Sequence, residues 1–285
     1  MKKFLNIFII LTVVTLAMPL IVFAHQPRAV SEQAAGEYIT VNDPEVSKAY
    51  YGQLIAIGNI YKIHSDKPFT LYANLLVPDK FGQGTDFRLN IFQGNDLLAT
   101  LNGSTSTWTK FFEPFGHDNY LKGPEFRKDV PAGDYMLVVL MNTNHFTDYV
   151  LAIGEKEEWN LKEAVNSVLI IPKIKRVFFE KNAVDFILSP IGIGYIIIMF
   201  VIAFIVGFIY RYILKRLSKS SDKTERNIDQ GDRWIRVILG VGALLLAIFT
   251  TWNPILLFIS GFCFFEAIFS WCAVYSVLGK NSCPR

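Results

Sequence analysis

In FTLYANLLV the residues Phe69, Leu71, Ala73, Leu75 and Val77 share one face, and Thr70, Tyr72 and Asn74 share the other. A period of two is that of a half-buried strand. DFRLNIF repeats the pattern with Phe87, Leu89 and Ile91 inward, and Gly94 and Asn95 turn it back into DLLATL, which predicts a hairpin. GDYMLVVLM follows Pro131 and Gly133 and is apolar on both faces, as a central strand of a packed sandwich would be. DYVLAIG is expected to pair with it across the short loop around Asn144. Recurrent short strands, polar turns and the lack of a long helical pattern predict an all-β, jelly-roll-like sandwich over residues 25–158.

Beyond Gly154 the period lengthens. EKEEWNLKEAVNSVLIIPKIKRVFFEKN begins acidic and sets Leu161, Val165, Val168 and Leu169 at helical spacing, with Pro172 expected to interrupt the helix. Residues 159–185 therefore read as an amphipathic juxtamembrane segment with two uses open to it. Its basic and aromatic part lowers the domain onto the outer membrane surface, or its helix covers an open edge of the sandwich.

Phe186 to Tyr210 carries no charge, and 25 residues at 1.5 Å each make ~37 Å, enough to cross a bilayer with tilt. Ser189 and Pro190 supply a helix start, and RYILKRLSKSSDKTER ends the run. Residues 186–213 are thus predicted as a first transmembrane helix and 214–232 as a cytoplasmic linker, following the positive-inside rule. A second uncharged run, Val237 to Phe265, is divided by Trp252, Asn253 and Pro254, which predicts a hairpin of two short spans within residues 233–285. Arg233 and Arg236 flank its entry, and Lys280 and Arg285 its exit, so both ends are expected in the cytoplasm.

The first 24 residues join a basic tip at Lys2 and Lys3 to an uncharged stretch, with Val22 and Ala24 placed for signal cleavage. They read as a signal peptide or an N-terminal anchor, and either would export the domain that begins at His25. A hydrophobic content of 52% with 19% charged residues fits an apolar surplus confined to the two ends of the chain. A net charge of +3, with no basic and aromatic interleaving, excludes nucleic acid as a partner. The expected site is the cell (inner) membrane, multi-pass, with the lipid bilayer as a partner and another envelope protein or a carbohydrate as the candidate ligand outside.

The tail carries a second layer of information. NIDQGDRWIRVILG and CAVYSVLGKNSCP resemble the YgaP-like inner-membrane transmembrane domain family, whose members show Asp-Arg-x-Ile-Arg-x-x-Leu-Gly and a closing Cys-Pro-Leu-Tyr-x-x-Leu-Gly-x-x-Thr-Cys. Asp232, Arg233, Ile235, Arg236, Leu239 and Gly240 fit the first motif, and Cys272, Tyr275, Leu278, Gly279 and Cys283 the second. Ala273 and Val274 replace Pro-Leu, and Ser282 replaces Thr, with the spacing intact. The resemblance implies a small helical membrane hairpin and no activity of its own; in some members it is fused to a rhodanese domain that this chain lacks. PAGDYMLVVLMNTNHFTDYVLAIG in turn resembles the last hairpin of a pre-peptidase C-terminal type of β-sandwich.

The chemistry-bearing candidates are few. Cys272 and Cys283 form a candidate thiol site, read either as small residues packing an interfacial turn or as a redox pair; zinc would need more ligands than these and Cys263 supply. Glu266 is the one acid well inside an apolar run, and a charge there points to an ion pair with Arg236 or to an ion path.

Outside the membrane, Trp108, Phe112, Glu113, His117, Asp118 and Tyr120 read either as a ligand platform or as core filling under a long loop shaped by residues 114, 116, 123 and 124. Cleavage after Ala24 would make His25 the N-terminus, where an amine and an imidazole suit copper. No catalytic motif occurs, and no cofactor is expected. The expectation is a non-enzymatic envelope module for binding, sensing or scaffolding; the alternative is a thiol-redox or metal-handling membrane protein.

Overall fold

The computed structural model describes residues 25–30, 37–54, 58–142, 146–158, 160–217, 226–250 and 252–283. The predicted signal segment, the predicted loop around Asn144 and residues 218–225 of the predicted linker lie outside these. The chain divides into two compact units, one ending at Lys181 and the other running from Asn182.

The first unit is a β-sandwich of two sheets. In chain order its strands are β1 (Gln26–Ala29), β2 (Ile39–Val41), β3 (Lys48–Leu54), β4 (Asn59–Ser65), β5 (Phe69–Pro78), β6 (Phe87–Gln93), β7 (Asp96–Asn102), β8 (Thr109–Glu113), β9 (Asp118–Val130), β10 (Gly133–Met141) and β11 (Thr147–Ile153). One sheet has the order β1-β3-β11-β5-β9-β8, and the other β2-β4-β10-β6-β7. The alternating positions of β5 and β6 pack between the sheets: Leu71, Ala73, Leu75, Val77, Phe87, Leu89 and Ile91 are buried there with Tyr135, Leu137 and Val139 of β10. The hairpin β6–β7 forms across Gly94 as the pattern requires.

Two expectations are corrected. β10 and β11 do not form a hairpin: β10 lies between β4 and β6, whereas β11 lies between β3 and β5 in the opposite sheet. The strand buried on both faces is β11, not β10, because Val150 and Ala152 face outward beneath a helix while Tyr149, Leu151 and Ile153 face the core.

That helix is α1 (Leu161–Val177), and it runs through Pro172 without a break. Asn160 caps it, its side chain accepting the Glu163 N–H at 3.0 Å. Pro172 removes one internal hydrogen bond, but Ile174 of the same turn and Phe178 and Phe179 just beyond it bury against Ala49, Leu76, Tyr120 and Val150. The helix therefore lies on the outer face of the six-stranded sheet and also meets its edge strand β1, where Glu163 pairs with Arg28 at 2.7 Å. Val165 and Leu169, expected on its apolar face, are exposed.

The second unit is helical: a 3-10 turn at Ala183–Leu188, then α2 (Pro190–Leu217), α3 (Gln230–Phe249), α4 (Pro254–Phe269) and α5 (Ala273–Leu278). Ser189 caps α2 by accepting the Gly192 N–H at 3.0 Å. Asn253 caps α4 with Pro254 in its first turn. Among the described helices α2 is long and apolar enough to cross a membrane, whereas α4, at 16 residues, is shorter than a full span.

Helix contact is close because small residues permit it. A Cβ on Gly261 would sit 3.0 Å from the Ala203 Cβ and 3.1 Å from the Phe200 Cα of α2. Phe204 and Phe208 of α2 meet Phe265 and Phe269 of α4 edge to face.

Candidate functional site

The six aromatic-loop candidates are divided among three places. The segment is not a long loop over the core but the hairpin β8–β9, with Pro114 to Gly116 in its turn and Gly123 and Pro124 inside β9. Trp108 turns toward the inter-sheet core, its ring tilted against Phe87 and lying where a Cβ on Gly123 would come within 2.6 Å. Its indole N–H donates to the Gly103 carbonyl at 2.9 Å. Phe112 is exposed and stands edge-on to the His117 ring at 5.1 Å, with His117 in the left-handed region at φ 60. Glu113, Asp118 and Tyr120 face the other way, toward α1.

There they meet His25. These four residues line a cavity of about 40 Å³ with Tyr51 and Ile174. The spacing of β1 and β9 in sequence gave no hint of this; pairing of β1 with β3 and the cover of α1 create it. A volume of that size admits water but not a sugar ring, for which pockets run to roughly 300 Å³ or more.

The polar groups around the cavity are engaged. Asp118 pairs with Lys175 at 2.8 Å and with Lys181 at 3.0 Å, and the Asp118 and Lys175 side chains are only 3% and 0% exposed. The Lys175 ammonium also donates to the Gly116 carbonyl at 2.5 Å. Glu113 accepts the Phe115 and Gly116 N–H groups at 2.8 and 2.6 Å, which fixes the hairpin turn, while burial pushes its carboxyl above the ordinary range. The Tyr51 and Tyr120 hydroxyls share a hydrogen bond of 2.8 Å, and burial raises both. His25 contacts the Ser47 hydroxyl through Nδ1, and Ser47 donates to Glu157 at 3.0 Å. Burial, aided by the charge of Lys122, holds the His25 imidazole below its ordinary value.

Lys175 is the residue that sequence reasoning missed; one lysine in a basic run gives no sign that it alone turns inward. Among the described residues no group of three or more His, Cys, Asp or Glu side chains is arranged to hold a metal ion.

In the helical unit the motif residues meet one another. Arg236 Nε of α3 lies 3.0 Å from Glu266 Oε2 of α4, and its Nη2 lies 3.1 Å from the Cys272 sulfur. The second Glu266 oxygen accepts the Ala273 N–H at 2.8 Å, at the start of α5. Asn227 binds Cys272 twice, accepting its N–H at 2.6 Å and donating to its carbonyl at 2.8 Å, and also donates to Ser276. Ser282 contacts Asp232 through its hydroxyl, and that hydroxyl also accepts the Asp229 N–H at 3.0 Å. The Arg233 Nε donates to the Ala267 carbonyl at 2.9 Å.

The three cysteines are free. Cys272 is buried beside Arg236, Cys283 donates to the Ile228 carbonyl at 3.3 Å, and Cys263 packs near Gly240. Sequence reading singled out Arg236, Glu266, Cys272 and Cys283 but not Asn227 as the brace between the two motif segments.

No curated protein matches the chain. Among solved structures it is similar to the pre-peptidase C-terminal domain of a collagenase from Bacillus anthracis, at 13% identity and a TM-score of 0.29, over 43% of this chain and 99% of that one. It is also similar to a β-glucosidase from Paenibacillus barengoltzii, at 12% identity and a TM-score of 0.23, over 46% of this chain and 13% of the other. Residues 224–285, in which Asn227, Asp232, Arg236, Glu266, Cys272 and Ser282 interlock, match the transmembrane domain family of YgaP-like inner membrane proteins.

Proposed function

We propose that the chain is a multi-pass envelope protein whose sandwich lies outside the cytoplasm and whose C-terminus lies within it. The sandwich acts as a non-enzymatic module that presents a surface to an envelope protein or a carbohydrate. The observation that carries this reading is the internal engagement of Glu113, Asp118 and Tyr120, whose polar atoms bind the module's own backbone, its lysines and the Tyr51 hydroxyl. The exposed pair Phe112 and His117 at the β8–β9 turn is left as the candidate contact for a ligand. Arg211, Lys215 and Arg216 near the end of α2 support the orientation.

A phosphatase reporter fused after Lys181 is expected to be active and one fused after Arg285 inactive; the reverse sinks the orientation. For the binding surface, a photoreactive residue at position 112 is expected to capture a partner in intact envelopes or, on the purified chain, a glycan. Phe112→Ala with His117→Ala is expected to abolish glycan binding without changing stability. Binding that survives the double substitution removes that surface.

A second reading has its own observation. A guanidinium 3.1 Å from the Cys272 sulfur is an arrangement that thiol chemistry uses. Under it, an impermeant maleimide applied to inverted vesicles labels Cys272 only after reduction, and Arg236→Met slows the labelling. Equal labelling with and without reductant counts against redox use.

A further inference from the structure

Three large apolar side chains stand bare at one end of the sandwich unit. Phe81 is 106% exposed, Val177 77% and Phe146 70%. They come from three separate segments: the loop after β5, the residue before β11 and the last residue of α1.

One cation ties these segments together. Lys80 donates to Asp148 at 2.8 Å, to the Phe178 carbonyl at 3.0 Å and to Glu180 at 2.6 Å. Gln83 adds a bond of 2.9 Å to the Asp148 carbonyl. The bare side chains are thus mounted on a braced framework, with the Lys80 and Asp148 side chains only 16% and 10% exposed. Solvent-facing phenylalanines held this firmly by polar neighbours mark a contact surface.

We infer that Phe81, Phe146 and Val177 form a lipid-docking tip that enters the headgroup region of the membrane crossed by α2 and holds the sandwich at that surface. The inference deepens the membrane-anchored reading and rests on it. Lipid is the occupant for two reasons. The chain leaves the sandwich from this same end: Lys181, three residues beyond Phe178, is nine residues from Pro190, the first residue of α2. Nine residues reach at most about 30 Å when fully extended, and a 3-10 turn at roughly 2 Å per residue shortens that reach. The tip therefore works within a short tether of the bilayer. The chemistry also fits, because aromatic and aliphatic side chains beside exposed Lys173 and Arg176 are what the interfacial layer accepts.

The test uses the unmodified full chain in vesicles of phosphatidylcholine and phosphatidylglycerol that contain a lipid with a diazirine close to its headgroup. After irradiation, lipid adducts are expected on the peptides holding Phe81, Phe146 and Val177 and on those of α2. Several-fold fewer are expected on the peptide holding Leu97, an exposed residue beside the turn at the opposite end of β6. Phe81→Ser with Phe146→Ser is expected to remove the adducts at the tip, since neither side chain supports the Lys80 network. Adducts on α2 with none at the tip overturn the docking and leave the anchoring in place, which is also the result if the tip meets a protein. Adducts on neither overturn both. Equal adducts at Leu97 report unselective collision and overturn the docking.

Discussion

At the scale of single residues, the ion pair of Asp118 and Lys175 dominates the sandwich. Removing one member of a buried pair leaves the other charge without compensation, an effect of about 3 to 5 kcal/mol. Asp118→Ala is therefore expected to lower the denaturation midpoint of the sandwich sharply. Asp118→Asn with Lys175→Met should recover much of the loss, because it removes both charges. A single alanine variant as stable as the wild type would show that the pair is not buried in solution.

His25 gives the pH dependence. Its imidazole is held below the ordinary value of 6.5 by burial first and Lys122 second, so folding favours the neutral ring. Its contribution is complete above that ordinary value and is lost as pH falls through the lowered folded one. The protection of the β1 amides from hydrogen exchange, relative to their intrinsic rate at each pH, is expected to fall on acidification, and His25→Asn to remove the dependence. Unchanged protection of β1 across that range would contradict the burial of the ring.

At the scale of elements, two features depend on close fit. Asn160 is the N-cap of α1, and Asn160→Ala is expected to destabilise the helix by about 1 kcal/mol, read as faster exchange along its first turn. In the helical unit a side chain on Gly261 would collide with α2, so Gly261→Leu is expected to cost about 1 to 3 kcal/mol and lower the midpoint for aggregation in detergent. Unaltered detergent stability would mean that α2 and α4 are farther apart than described.

The period of two located β5, β6 and β7 and the correct faces of the first two. It wrongly paired β10 with β11, because strands joined by a short loop can stay in one sheet or cross between two, and local pattern does not distinguish them. Pro172 misled for a related reason. The proline rule counts the lost hydrogen bond, whereas the apolar area that Ile174 and Phe178 bury against the sheet lies outside the local sequence.

At the scale of the whole molecule, the two units have separate interiors. Thermal unfolding of the full chain is expected to show two transitions, with Asp118→Ala moving one and Gly261→Leu the other. A single transition shifted by both substitutions would show that the units fold as one.

By itself the sequence determined the partition into an alternating sandwich and an apolar helical tail, and it marked Arg236, Glu266, Cys272 and Cys283 by type and spacing. Periodicity and charge are local, and the physics that reads them needs only neighbours within a turn or a strand. Only the tertiary structure decided which side chains meet. It placed His25 beside Glu113, turned Lys175 inward, separated Trp108 from Phe112 and gathered Phe81, Phe146 and Val177 at one end. Such meetings depend on which strands pair and which face a helix covers, and those choices are made by burial summed over the whole fold.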